Sequence, residues 1–181
     1  MTSEPRILVA GIGNIFLGDD AFGSEVAQRL LRRPHADNVR VVDFGIRGLD
    51  LAYALVDTCD AAILIDAVPR PNEPPGTLFV LEPRLETSSD APVAIDTHSM
   101  DPVKVLQTAA SMGAKPRRVV IIGCQPSSVP ADDDDGMDMP LEMSAPVAAA
   151  VDGAIELVES LVNELSSTLV DNPQEATPCI P

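Results

Sequence analysis

Positive charge is scarce in this chain. Lys and Arg number 12 against 28 Asp and Glu, a formal net charge of −16. That balance argues against nucleic acid and anionic membrane surfaces as partners. Long apolar runs are missing too: no segment approaches the ~20 residues a helix needs to span a bilayer. The first residues, MTSEPRILVAG, carry no basic region followed by an apolar stretch and a cleavage site. Their one apolar run, Ile7 to Ala10, is strand-length, so no signal peptide is expected. Cysteines are few, odd in number and without CxxC spacing: Cys59, Cys124 and Cys179. Neither a disulfide framework nor a zinc knuckle follows, and a reducing cytoplasm is the expected compartment. Histidines are limited to His35 and His98, and no serine has an obvious histidine partner.

What is present is 45% apolar content over 181 residues, enough for one globular domain with a sizeable core. Short apolar runs alternate with helical patterns, which predicts an α/β fold with a parallel sheet covered on both faces. Strands are expected at Arg6–Ala10, Val39–Asp43, Ala61–Ile65, Thr77–Leu81 and Arg118–Gly123. The apolar positions Ala21, Val26, Ala27, Leu30 and Leu31 predict a helix over 20–33, with Pro34 just beyond it. Further helices are expected over 49–56, 101–112 and 142–169. Asp101 suits an N-cap, Pro102 a first helical residue and Gly113 a C-terminal stop. Val147, Val151, Ile155, Val158 and Leu161 mark the buried face of the last helix. The connections Pro69–Pro75, Glu82–Thr97 and Gln125–Pro140 read as loops. Residues 1–170 form one domain in this reading, and 171–181, with three prolines and no periodicity, a disordered tail.

The segment LVAGIGNIFLGDDAFG, Leu8 to Gly23, is the most informative stretch. It reads as a buried strand, a glycine turn and two adjacent carboxylates opening a helix. Gly11-x-Gly13 between strand and helix, with Asp43 ending the second strand, invites a dinucleotide-binding reading. The third glycine of that fingerprint is absent, because position 16 is Phe. A pyrophosphate also needs the positive end of the helix, and Asp19 and Asp20 already occupy it. The plain alternative is that Asp19 caps the helix and Asp20 adds first-turn charge. One cap does not require both acids.

Ligands of open α/β sheets bind beyond the carboxyl ends of the strands, where the strand order reverses. With an order 2-1-3, Asp20 after the first strand and Asp66 at the end of the third face one crevice. Like charges at short range there call for a cation or a shared proton. His98, in Asp96-Thr-His-Ser-Met before the helix capped by Asp101, is the candidate third group. A lone loop histidine is commonly a solvated side chain; the helix start beside this one improves the case for a ligand without deciding between the two. Two carboxylates and an imidazole suit a borderline divalent transition metal with open positions. His35 reads as surface and Cys124 as a small buried apolar residue. The run Asp132–Asp135 before Gly136 partly mimics a calcium loop. Its first ligand position is Ala131 and no helix precedes it, so a solvated acidic loop is the reading adopted.

Taken in order, Gly11-Ile-Gly-Asn14, Asp19-Asp20-x-x-Gly23, Asp43-x-Gly45-x-x-Gly48, Ile65-Asp66-Ala67, His98 and Gly123-x-x-Pro126 resemble the hydrogenase maturation endopeptidases. The resemblance runs from about Ile7 to Val158. It implies a three-layer α/β/α sandwich around a mostly parallel, five-stranded twisted sheet. It implies an endopeptidase that removes a short C-terminal extension from the large-subunit precursor of a nickel–iron hydrogenase, after nickel has been inserted. Nickel would be carried by that precursor, with no organic cofactor. Asp20, Asp66 and His98 would match the family's metal-contacting positions. The acid at position 20 is Glu in some members and Asp here, one methylene shorter. Asp43 would be a general base or a group supporting the ligands. A non-catalytic, metal-sensing chaperone on the same scaffold is the alternative.

Overall fold

A computed structural model describes residues 5–57, 60–83, 101–127 and 141–171. Its elements run β1 (Ile7–Ile12), a 3₁₀ turn (Gly18–Ala21), α1 (Phe22–Leu30), β2 (Val39–Gly45) and α2 (Gly48–Val56). They continue with β3 (Ala61–Ala67), β4 (Leu78–Leu81), α3 (Pro102–Ser111), β5 (Arg118–Cys124) and α4 (Ala145–Asp171). The five strands form one sheet in the order β2-β1-β3-β5-β4. All pairings are parallel except β4 with β5. The expected order 2-1-3 and the mostly parallel sheet are both observed.

Two apolar cores explain the layering. On one face, Ile7, Val9, Ile63, Ile65, Val120 and Ile122 pack against Phe22, Val26 and Leu30 of α1 and the buried stripe of α4. On the other, Leu8, Ala10, Leu64 and Ile121 pack against Leu51 and Leu55 of α2 and Val105, Leu106 and Ala109 of α3. Every residue of β1 is buried, as a parallel strand covered on both sides requires. The five apolar positions expected on the last helix are all in its buried stripe.

Three elements differ from expectation in ways that bear on the site. The helix expected over 20–33 opens as a 3₁₀ turn and ends at Leu30. At its far end Arg32 and Arg33 donate to the carbonyls of Arg29 and Leu30, three residues back, so the last turn tightens. Strand β3 extends two residues further, so Asp66 and Ala67 pair with Gly123 and Cys124 of β5. Strand β2 likewise reaches Gly45. The expected loop 82–97 and the acidic run Asp132–Asp135 lie largely or wholly outside the described residues. So do Cys59, His98 and the segment 172–181.

Gly23 decides how close α1 comes to the sheet. A methyl group there would collide with the carbonyl oxygens of Ile65 and Ile12, and one on Gly11 with the Gly23 carbonyl and Ala27. Backbone packs on backbone where α1 crosses the ends of β1 and β3. Replacing Gly23 by Ala is therefore expected to destabilise the fold by about 1–3 kcal/mol or more, the range for overpacking. Chemical denaturation of wild type and variant checks this, and equal midpoints would contradict it.

Candidate active site

The glycine loop is built around one carboxylate. Gly13, at φ 139°, lets the chain leave β1 with no side chain against the Asp20 carbonyl. The Asp20 side chain then accepts the Asn14 amide at 2.8 Å. Asn14 in turn accepts the Phe16 amide on its side-chain oxygen at 3.0 Å and the Leu17 amide on its carbonyl at 3.1 Å. The Gly13 amide donates to the Gly45 carbonyl at 3.1 Å, which stitches this loop to the turn after β2.

Asp66 stands two strands from β2, at the end of β3, and is almost completely buried. Its one hydrogen bond among the described residues is from the Ala67 amide, at 2.8 Å. Burial pushes its carboxyl well above the usual range, and the charge of Asp20 pushes it further. The Ala67 bond opposes that shift, and Asp101 adds to it. Burial also raises Asp20, against the lowering effect of the Asn14 bond. No Lys or Arg pairs with either acid among the described residues. Two partly or wholly desolvated carboxylates thus share the crevice at the end of adjacent parallel strands, as the strand order requires. No group of three His, Cys, Asp or Glu of metal-binding size occurs among the described residues, and His98 lies outside them. Asp101, three positions on, caps α3 by accepting the Val103 amide at 2.8 Å.

Asp19 does not cap the helix, contrary to the plain reading of its position. No side chain caps the 3₁₀ turn or α1. The buried carboxylate of Asp19 accepts the Ser144 amide at 2.6 Å, the Ser127 amide at 2.7 Å and the Ser144 hydroxyl at 3.0 Å. It therefore holds the exit of β5 beside the entry of α4. The tight 3₁₀ geometry separates the two neighbours: Asp20 turns to the glycine loop and Asp19 across the molecule. Nothing in the local pattern signals bonds to partners 108 and 125 residues away.

Asp43 is engaged in its own turn. One carboxylate oxygen accepts the Gly45 amide at 3.1 Å, the other the Gln28 amide group at 3.0 Å, and its carbonyl takes the Arg47 guanidinium at 2.6 Å. Cys124 is fully buried, and that burial, with the Asp19 charge secondary, pushes its thiol up to about 12. A neutral thiol at physiological pH is no nucleophile, in line with its reading as a small apolar residue. His35 is exposed, its ring 2.6 Å from the Leu30 carbonyl.

Two outcomes follow. Asp19→Ala leaves two amides and a hydroxyl without their charged acceptor. A loss of about 2–4 kcal/mol is expected in urea unfolding, since one hydrogen bond to a charged group contributes about 1.5–3 kcal/mol. A loss below 0.5 kcal/mol, within the usual range for neutral surface changes, would contradict the bridge. Asp66 works through linkage. Its folded-state carboxyl is raised above the ordinary 3.8, so the folded protein holds a proton that the unfolded chain has lost. Stability from this group is present below the ordinary value and is lost as pH rises through the raised one. Asp66→Asn is expected to flatten that fall in metal-free protein. Parallel curves of melting temperature against pH for the two proteins would contradict it.

Residues 24–161 match the family model described as hydrogenase maturation protease. The hydrogenase expression/formation protein HupD of Rhizobium leguminosarum is 32% identical over 173 residues, 95% of this chain and 81% of its own. Among solved structures, the hydrogenase maturating endopeptidase HybD of Escherichia coli superimposes with a TM-score of 0.66. It is 25% identical, and the match covers 88% of this chain and 93% of that one. The hydrogenase 2 maturation peptidase of a Thaumarchaeota archaeon is 31% identical with a TM-score of 0.64, over 87% and 98% of the two chains. These relatives favour a cutting enzyme over a metal-sensing chaperone, and the nucleotide reading finds no support among them. The chain belongs to the hydrogenase maturation protease family and is an endopeptidase.

Proposed function

We propose that this protease removes the C-terminal extension of a nickel–iron hydrogenase large-subunit precursor, and that it recognises the nickel already seated in that precursor. The observation that carries this reading is the Asp20–Asp66 pair: two desolvated carboxylates at neighbouring strand ends, with no basic partner among the described residues. A divalent cation relieves their repulsion and takes up oxygen ligands that otherwise lack partners. In this proposal His98 supplies the third ligand.

The metal arrives as part of the substrate, so gripping it also positions the chain attached to it. Holding the scissile peptide against the crevice turns an encounter between two molecules into an intramolecular arrangement. The nickel can polarise the scissile carbonyl or a water beside it. Asp20 approaches the metal with its free lone pairs while the Asn14 amide fixes its orientation. Asp66, at the end of β3 where that strand still pairs with β5, is held by the sheet. Asp43 serves this site as a positioning group, since both its oxygens are committed to Gln28 and Gly45. It holds the turn after β2 against α1.

Replacing Asp66 or His98 by Ala is expected to leave a folded protein that releases no C-terminal peptide from the precursor. The mass of the precursor after incubation reads this directly. Wild-type processing by both variants would overturn the site. A stable complex of wild-type protein with uncut precursor would instead favour the chaperone.

A further inference from the structure

Strand β2 is an open edge of the sheet, and it ends at the site. Among the described residues it pairs only with β1. The Ile7 amide bonds to the Asn38 carbonyl, and with Ile7 opposite Val39 this turns the backbone groups of Arg40 and Val42 toward β1. Those of Val39, Val41 and Asp43 face outward. The Val39 amide takes the Ala36 carbonyl, and the Asp43 carbonyl takes Arg47. The Val39 carbonyl, the Val41 amide and carbonyl, and the Asp43 amide have no partner among the described residues. These four groups match the ladder of one extended segment of about four residues.

Each face of this edge offers a cleft. On the α1/α4 side, Val39 and Val41 border a cleft of about 300 Å³ whose floor is Val9, Leu30, Val158 and Val162 and whose rim carries His35, Glu159 and Asn163. On the α2 side, Arg40, Val42, Arg47, Tyr53 and Asp50 border a more open one of about 630 Å³. Alternate side chains of an added strand point to opposite faces. One set would meet a valine-lined floor with a polar rim, the other a wall carrying charges of both signs.

We infer that β2 receives an extended segment of the polypeptide substrate, the stretch adjoining the cut, as a sixth strand of the sheet. This rests on the protease reading of the site. Strands lie about 4.8 Å apart, so the added one runs about 10 Å from β1, whose exit leads to Asp20. About three further residues of extended chain cover that distance. The chemistry selects a segment with small side chains toward the valine-floored cleft and polar ones toward the other. A second copy of this chain fits less well, because each copy carries a net charge of −16.

Val41→Pro tests this, since it deletes the outward amide while the bonds to β1 come from Arg40 and Val42. With nickel-loaded precursor, KM is expected to rise about tenfold or more with kcat within about twofold, the pattern of lost uniform binding. An unchanged KM would overturn the inference. Should circular dichroism show Val41→Pro unfolded, Val162→Lys takes its place. It puts a longer, charged side chain into the floor of the cleft beside Val39 and Val41, and the same two outcomes apply. Deuterium exchange of the 39–45 peptide in wild-type protein mixed with precursor gives an independent reading that does not need a cut. Slowed exchange supports edge pairing and unaltered exchange overturns it. A wild-type protein that binds through this edge without cutting would defeat the protease reading alone. A dimer in sedimentation that Val41→Pro dissolves would assign the edge to a second copy and overturn the inference.

Discussion

The repulsion between Asp20 and Asp66 is the constraint around which this molecule is arranged. Parallel strands in the order β2-β1-β3-β5 bring the ends of β1 and β3 side by side, and each end delivers a carboxylate into the same crevice. Close packing makes the repulsion unavoidable. Gly11 and Gly23 let α1 ride directly on the strand ends, so its opening turn cannot move away from Asp66. Burial raises both acids, and no guanidinium or ammonium among the described residues compensates them. A fold that keeps such a pair holds a site primed for a proton or a cation.

Other acids near the crevice have structural hydrogen-bond partners. Asp19 gathers donors from Ser127 and Ser144 and closes the sandwich on the α4 side. Asp43 gathers Gln28 and the Gly45 amide and holds the turn after β2. Asp101 caps α3. Among the described residues, Asp66 is the most deeply buried carboxylate and has a single backbone donor. Asp19 and Asp43 each gather two or more donors, whereas Asp20 and Asp66 have one backbone donor each among the described residues.

Much of this was legible in the residues themselves. Continuous apolar runs announced buried parallel strands, and Gly113 and Asp101 marked the ends of α3. The Asp-Asp pair and the Ile65-Asp66-Ala67 strand end pointed to a crevice with two acids. What escaped was set by distance or by geometry. The capping role expected of Asp19 fails because its partners arrive from the far end of the chain, and no local rule senses them. The 3₁₀ opening of α1 is a tertiary outcome of backbone packing at Gly23. Strand β3 reaches Ala67 because β5 continues beside it, although Asp66 itself disfavours a strand.

A metal-gated cut is tested most directly by the mass of the large-subunit precursor after incubation with this protein, with and without its nickel. Loss of the C-terminal peptide from the nickel-loaded form alone is the expected result. Equal cleavage of the nickel-free form would contradict a role for the Asp20–Asp66 crevice in reading the metal.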